Sequence, residues 1–333
     1  MPATRQLGVL PLLGLWAGLC LTGALYATWL GYGGRPFAAT LTAFAFFLLV
    51  MLLFAARSFG DDLASRFGPG GGIGLGAAAF LAYLIYGLGT NTFTIWRAAA
   101  AGCLIFIPMA LAASAQRKPA GTWQDFLTLA AVWVAVKPFP NPRGVSLSHW
   151  LWPYPAARLA YVLTVLLAIN AALAAFVLMR RVDGIGYNIG WGRRWGFFIL
   201  ASFGAFACIA IPLGTAMHFI TFAPQWHGWT ALPLTSLGIL FFTAWPEEFL
   251  FRGLLQNMLA KSSKSDLAGW WTAAVLFGFS HITNMGFPNW RYVILASIAG
   301  LFYGWTWRKT ESIFASAIVH ALVDVLWHFL FRT

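Results

Sequence analysis

The chain has 333 residues, of which 60% are hydrophobic and only 9% are charged. Soluble domains are charged at roughly a quarter of their positions, so this composition excludes an ordinary soluble domain. The formal net charge of +12 would suggest a nucleic-acid partner in a soluble protein. Here the basic residues lie in short segments between apolar stretches, which indicates membrane orientation and anionic lipid instead of nucleic acid.

Apolar stretches long enough to cross a bilayer recur along the whole chain. Only helices and closed barrels satisfy their backbone hydrogen bonds in lipid, and the sequence shows no alternating strand pattern. We therefore predict an all-α, polytopic transmembrane helical bundle with about 10–11 membrane segments, most of them near the usual length of about 20 residues. The predicted segments are Gly8–Leu30, Phe37–Ala56, Ile73–Gly89, Ala98–Ser114, Phe126–Val136, Leu159–Met179, Gly196–Phe222, Thr230–Leu255, Gly269–Ile282, Tyr292–Trp307 and Ser312–Phe331.

Phe126–Val136 is the one predicted segment that is too short to cross a bilayer comfortably. If it crosses and the N-terminus is cytoplasmic, the larger share of the basic loop residues lies on the cytoplasmic side, as the positive-inside rule expects. If it does not cross, the basic cluster at Arg180–Arg194 lies outside. We therefore predict that the segment crosses and that the N-terminus is cytoplasmic. High alanine, glycine and arginine usage favours a bacterial inner membrane.

Ionisable residues within predicted helices are concentrated in the last third of the chain. The sequence accordingly divides into an N-terminal helical region of unknown role, residues 1–195, and a C-terminal region, residues 196–333, that holds these residues. Because an ionisable side chain at the centre of a membrane helix costs about 2.5–3.5 kcal/mol on insertion scales, such residues are usually paired and functional. The candidate site residues are Glu247, Glu248, Arg252, His281, His320 and Asp324.

The spacing of these residues predicts how they pair. Glu248 and Arg252 are four residues apart and share one helix face, so they are expected to form an ion pair. Glu247 points about 100° away around the same helix and is left available for other chemistry. His320 and Asp324 are also one turn apart, on the last predicted helix.

The depth of the candidates within their helices is similar. At 1.5 Å of rise per residue, each lies about 12–18 Å from the predicted cytoplasmic end of its helix. The residues compared in this way are Glu247, His281, His320 and Asp324. We therefore expect these four side chains to meet at one level that is reachable from the cytoplasm.

The order of three motifs resembles the CPBP family, the CAAX-protease and bacteriocin-processing intramembrane endopeptidases often called the Abi family. The motifs are Glu-Glu-x-x-x-Arg from Glu247, Phe-x-x-x-His from Phe277 and His-x-x-x-Asp from His320. The resemblance covers about residues 196–331. It implies an enzyme that hydrolyses a peptide bond in a membrane-associated protein or peptide substrate.

The resemblance also implies a role for the residues of the first two motifs. Glu247 would act as general base on a water molecule, and His281 would help to hold that water. Glu248 with Arg252 would hold the site together. A glutamate in a cavity of low dielectric constant suits the part of a general base, which agrees with this division.

The roles of the two residues of the third motif, His320 and Asp324, are less fully determined. By the resemblance, His320 and Asp324 would bind the oxyanion or orient the scissile carbonyl, although the family often has Asn where Asp324 stands. An ionised Asp stabilises an oxyanion poorly, so Asp324 must be protonated, orient His320 or ligate a metal. Two His and a carboxylate are a familiar catalytic zinc set, here Glu247, His281 and His320, but the sequence lacks HExxH. No other cofactor is predicted.

Three alternatives remain open at the level of sequence. The paired glutamates and the arginine could form a structural ion pair inside the membrane that carries no chemistry. A proton-coupled transporter also uses buried Glu, His and Arg, although the chain shows no inverted repeat. A relative of the same fold could be non-proteolytic and serve as an immunity or scaffold protein. The substrate, and whether it is prenylated, cannot be deduced from the sequence.

Overall fold

The computed structural model describes residues 5–136, 146–154, 157–225 and 228–333. These residues form thirteen helices and very little sheet, which confirms the all-α prediction. Seven helices are long and apolar enough to cross a bilayer. They are Val9–Trp29, Gly34–Leu53, Pro69–Gly89, Ile95–Ser114, Leu159–Met179, Trp195–Ala216 and Ile313–Leu330.

The described part of the chain divides into two compact units, Gln6–Val182 and Asp183–Thr333. The functional division at residue 195 remains a prediction. The helices of the first unit are α1 (Val9–Trp29), α2 (Gly34–Leu53), α3 (Phe59–Phe67), α4 (Pro69–Gly89), α5 (Ile95–Ser114), α6 (Trp123–Val136), α7 (Leu147–Leu151) and α8 (Ala157–Ala172, continuing in π-helical geometry over Leu173–Met179). Helices α3 and α7 were not predicted.

Helix α8 forms the core of the first unit and packs against α2, α4, α5 and α6. Its most apolar window is 89% buried, against 6% for α1. At its C-terminal end, Arg180 forms a buried ion pair with Asp125 at the start of α6, with 2.7 Å between Nε and Oδ1. Helix α6 has 14 residues, so its crossing of the bilayer remains a prediction.

The second unit contains five helices. They are α9 (Trp195–Ala216), α10 (a continuous helix of five stretches, Ala231–Ile239, Leu240–Ala244, Trp245–Glu248, Phe249–Gln256 and Asn257–Ser263), α11 (Asp266–Phe279), α12 (Trp290–Thr310) and α13 (Ile313–Leu330). The four strands have two residues each: β1 (Arg5–Gln6), β2 (Gly190–Trp191), β3 (Thr221–Phe222) and β4 (Phe331–Arg332). β3 and β4 pair antiparallel at the far end of α13.

The ends of three predicted segments differ from the structure. Helix α9 ends at Ala216 and not at Phe222, because the chain turns at His218, whose φ of 51° lies in the left-handed region. Helix α10 continues past Leu255 to Ser263. Helix α11 ends at Phe279, so His281 lies in the following turn and not inside the helix as predicted.

Two helix backbones approach each other closely beside this turn. A Cβ added at Gly278 of α11 would lie 2.5 Å from the carbonyl oxygen of Val293 in α12 and would collide with Ser297 Oγ. A Cβ at Gly300 would lie 2.9 Å from Ala274 Cα. Glycine is therefore required at positions 278 and 300 for α11 and α12 to pack in this way, and this packing fixes the end of α11.

Candidate active site

Glu248 is the centre of a buried polar network that joins α10 to α13. Its side chain is fully buried. Oε1 accepts a hydrogen bond from Arg252 Nη1 at 3.0 Å and lies 2.8 Å from His320 Nδ1. Oε2 accepts a hydrogen bond from the Ser316 hydroxyl at 2.5 Å. A buried charge requires paired and hydrogen-bonded surroundings, and this carboxylate has both.

Arg252 extends the network to α11 and α12. Its Nη2 donates to the carbonyl oxygen of Gly300 at 3.1 Å. The guanidinium carbon lies 4.5 Å from the ring centroid of Phe277 and 5.2 Å from that of Tyr303, distances at which a cation is attracted to an aromatic face. The Arg252 charge is therefore compensated by Glu248, one carbonyl and these two rings, with the Phe251 ring at 5.9 Å as a third, and the side chain is only 1% exposed.

His320 is held between two carboxylates. Its Nδ1 faces Glu248, while its Nε2 lies 3.5 Å from Asp324 Oδ2, which is longer than an ordinary hydrogen bond. The ring stacks on Tyr303 with 4.6 Å between centroids and 17° between planes. Glu248 and Tyr303 therefore fix the orientation of the imidazole, and Asp324, whose side chain is 37% exposed, is held more loosely.

His281 is oriented by the turn in which it lies. Its Nδ1 is 2.8 Å from the carbonyl oxygen of Phe277 and 3.0 Å from Ser280 Oγ. Because a carbonyl oxygen can only accept, Nδ1 carries the proton in this bond, and Nε2 of the neutral ring is an acceptor. The ring also packs against Tyr292, with 4.9 Å between centroids. An acceptor held in this way can bind a water molecule through one of its protons.

Glu247 has surroundings unlike those of its neighbour. It is 6% exposed, and no described residue forms a hydrogen bond or ion pair with its carboxylate. It lies within electrostatic range of His320, Asp324 and Tyr292. Of the two adjacent glutamates, therefore, Glu248 is fully engaged within the protein and Glu247 is not.

A cavity of about 280 Å³ brings the two histidines to one space. His281, Tyr292, His320 and Asp324 are among its lining residues, whereas Glu247 does not line it. A water molecule in the liquid occupies about 30 Å³, so the cavity can hold several. The structure thus brings His281, His320 and Asp324 to one cavity and joins Glu248 and Arg252 to His320, whereas Glu247 lies on α10 outside the cavity lining.

The arrangement does not fit the predicted zinc set. Among the residues that the structure describes, no three His, Cys, Asp or Glu side chains are placed to hold one metal ion. Nδ1 of His320 is engaged by Glu248, and Nδ1 of His281 by a backbone carbonyl. We therefore derive no step through a metal, and the zinc alternative stays a prediction.

Three residues of the site were missed by sequence reasoning. Ser316 lies one turn before His320 on α13, so helical spacing could have revealed it. Tyr303, the stacking partner of His320, gave no signal because an aromatic residue in an apolar helix is ordinary. Tyr292 was passed over for the same reason, although its ring packs on His281.

Comparison with known families gives a match in the same part of the chain. Residues 228–326 match the family described as type II CAAX prenyl endopeptidase Rce1-like, and this stretch contains all six candidate site residues. This match confirms the predicted resemblance to the CPBP family for this part of the chain. Together with the seven helices that are long and apolar enough to cross a bilayer, this match supports an integral membrane protein. Searches of curated proteins and of solved structures gave no match.

Proposed function

We propose that the protein is an intramembrane endopeptidase that hydrolyses a peptide bond of a membrane-associated protein or peptide. The observation that supports this most directly is the contrast between two adjacent buried glutamates. Glu248 is occupied by Arg252, Ser316 and His320, whereas no described residue pairs with Glu247. A purely structural ion pair explains Glu248 but leaves the burial of Glu247 unexplained.

In this proposal, Glu247 and His281 activate the attacking water. His281 Nε2 accepts one proton of the water in a hydrogen bond, and the Glu247 carboxylate removes the other as the oxygen attacks the scissile carbonyl carbon. The proton held by Glu247 is then transferred to the leaving amine when the C–N bond breaks. These steps account for the added water, the transferred proton and the leaving amine, and they involve no cofactor.

His320 and Asp324 serve the developing oxyanion. Hydrogen-bond donors that are already oriented in a water-poor site stabilise such a charge strongly. The Nε2 side of His320 opens on the cavity, while Glu248 and the stacked Tyr303 hold the ring still. Asp324 is a positioning residue in this scheme, because it touches His320 and not the reacting atoms.

The decisive experiment begins with a substrate trap. Full-length Glu247→Gln protein is expressed in the native host and purified with any protein that stays bound, and that protein is then offered to the native enzyme in liposomes. We expect Glu247→Ala and His281→Ala each to lower cleavage by about 10²–10⁴, the usual contribution of acid–base catalysis. Glu311→Gln, an exposed glutamate outside the site, is the matched control and should cleave normally.

Three outcomes would contradict the proposal. Full cleavage by the Glu247→Ala protein would remove the general base from the mechanism. Flux of protons or solute that requires Glu247, without cleavage of any trapped protein or peptide, would favour a carrier. A folded protein that binds its partner and neither cleaves nor transports would favour the scaffold or immunity alternative.

We also propose that the N-terminus is cytoplasmic and that the protein resides in a bacterial inner membrane. The distribution of basic residues between the helices supports this orientation. In this orientation Arg57 lies on the cytoplasmic side and Arg97 on the outer side. Of two single cysteines introduced at these positions, the one at position 97 should be labelled by an impermeant maleimide applied from outside, and the one at position 57 should be protected. Labelling at Arg57 and protection at Arg97 would reverse the orientation.

A further inference from the structure

A second cavity lies in the unit formed by residues 183–333 and shares no lining residue with the first. Its volume is about 690 Å³. It is bordered by the C-terminal end of α10, the end of α12, the start of α11 and the loop at Gly184–Gly186. We call this cavity the basic pocket, because its lining includes the cations Lys261, Lys264, Arg308 and Lys309.

Two of the four cations have no partner inside the protein. Neither Lys264 nor Lys309 forms an ion pair or a hydrogen bond through its ammonium with any described residue. Lys261, in contrast, donates to the Asp183 carbonyl oxygen at 2.7 Å and pairs with its carboxylate. The hydrogen bond from Lys261 lowers the pKa of the Asp183 carboxyl, so this ammonium is already engaged. The pocket therefore holds two uncompensated ammonium groups.

The other charges of the pocket do not cancel these two ammonium groups. The Arg308 guanidinium lies over the indole of Trp270, 5.0 Å from its centroid, and so keeps its charge beside the cavity. The lining carboxylates are Asp266 and Glu311, both exposed. Asp266 begins α11, where the helix dipole stabilises it. Because Lys261 is already paired with Asp183, three lining cations face two lining carboxylates, which leaves an excess of one positive charge.

The wall of the basic pocket is held in place by the backbone. Gly186 adopts a φ of 72°, and a Cβ there would lie 2.6 Å from the Glu311 carbonyl oxygen. Its own carbonyl accepts a hydrogen bond from the Ile313 amide at 3.0 Å. The Trp307 indole donates to the Ile185 carbonyl at 3.1 Å. These contacts fix the loop against the junction of α12 and α13, so the pocket is formed before any ligand arrives.

We propose that the basic pocket binds the phosphate of an anionic phospholipid headgroup. Its cations stand near the ends of α10 and α12. The predicted membrane segments Thr230–Leu255 and Tyr292–Trp307 lie in these two helices, and lipid phosphates are expected at the ends of such segments. The indoles of Trp270 and Trp307 accompany them, and tryptophan is enriched at the interface between membrane and water. Lysine side chains at helix ends reach toward the headgroups while their stems pack on apolar surface. This inference is independent of the proposed hydrolysis.

The experiment measures lipid binding and not cleavage. The purified full-length protein in neutral detergent is titrated with phosphatidylglycerol, with phosphatidylcholine of the same chain length and with inorganic phosphate, and native mass spectrometry counts the bound ligand. The test variant combines Lys264→Asn with Lys309→Gln. Asn is chosen because Lys264 has a φ of 55°, a conformation that Asn tolerates well. The matched control, Arg117→Gln with Lys118→Gln, removes two exposed cations outside the pocket.

Each surface cation near an anionic membrane strengthens binding about fivefold, so we expect the test variant to bind phosphatidylglycerol about tenfold to thirtyfold more weakly. The control should stay within about twofold, and Lys309→Arg should retain binding because it keeps the charge. Equal losses in the test and control variants, or equal binding of the two lipids, would overturn the proposal. Inorganic phosphate that binds as tightly as phosphatidylglycerol would identify free phosphate, and not lipid, as the ligand. Loss of binding in Lys309→Arg would also contradict it.

Discussion

The adjacent residues Glu247 and Glu248 should respond in opposite ways to the same isosteric change. Glu248→Gln removes the charge that compensates Arg252, a side chain that is only 1% exposed, and weakens the contacts of Ser316 and His320. Glu247→Gln removes a charge that no described residue pairs with. We therefore expect the first variant to lose stability and the second to lose activity.

The size of the stability loss in Glu248→Gln follows from the burial of the Glu248–Arg252 ion pair. Removing one partner of a buried ion pair costs about 3–5 kcal/mol, because the other charge is left uncompensated. Arg252 keeps its hydrogen bond to the Gly300 carbonyl and its two aromatic faces, which places the expected loss near the lower end, about 3 kcal/mol. For Glu247→Gln we expect a change below about 1 kcal/mol, since no partner is orphaned.

The free energy of unfolding can be measured by titrating the protein from mild detergent into SDS and following tryptophan fluorescence. A double-mutant cycle with Glu248→Leu and Arg252→Met measures the coupling of the pair, because the contacts that Glu248→Leu loses with Ser316 and His320 are lost in both arms of the cycle and cancel. Unfolding of Glu248→Gln at the same SDS fraction as the native protein, together with destabilisation of Glu247→Gln, would contradict the different roles assigned to the two glutamates.

Three further predictions concern packing, positioning and metal. Gly278→Ala should cost about 1–3 kcal/mol by forcing α11 away from the Val293 carbonyl, whereas Gly14→Ala, with nothing near the added methyl, should not destabilise; SDS unfolding compares them. Asp324→Asn should keep cleavage within about tenfold and alter its pH profile, while Asp324→Leu should lower it about 100-fold, because Asn can still hydrogen-bond to His320; equal loss in both would contradict the positioning role. Protein washed with a chelator and shown metal-free by mass spectrometry should cleave at full rate, and recovery only on adding zinc would revive the metal mechanism.

Helical periodicity was sufficient to predict contacts within one helix. The Glu248–Arg252 pair and the alignment of His320 with Asp324 both follow from a spacing of four residues. The link between Glu248 and His320 could not be predicted, because it joins residues on two helices 72 positions apart. Of its two supporting residues, Tyr303 was missed for the same reason, whereas Ser316 lies one turn before His320 and could have been found from helical spacing.

The limits of hydropathy are visible at the ends of α10 and α11. The prediction ended α10 at Leu255 because polar residues follow. In the structure those residues are buried and satisfied from outside the helix, Gln256 by the Gly304 carbonyl at 3.4 Å and Asn257 by the Asp183 carbonyl at 2.8 Å. His281 was predicted to lie within a helix. In the structure it lies in the turn after α11, where its Nδ1 takes the place of a backbone donor at the Phe277 carbonyl oxygen.

The two carboxylates around His320 have a consequence for how a substrate could enter. Both ring nitrogens already face an oxygen, Nδ1 at 2.8 Å from Glu248 and Nε2 at 3.5 Å from Asp324. In the proposed mechanism, a substrate carbonyl would approach the same Nε2 from the cavity. The Asp324 contact is the longer and more exposed of the two, so it can lengthen as the substrate binds, while the Glu248 anchor stays in place.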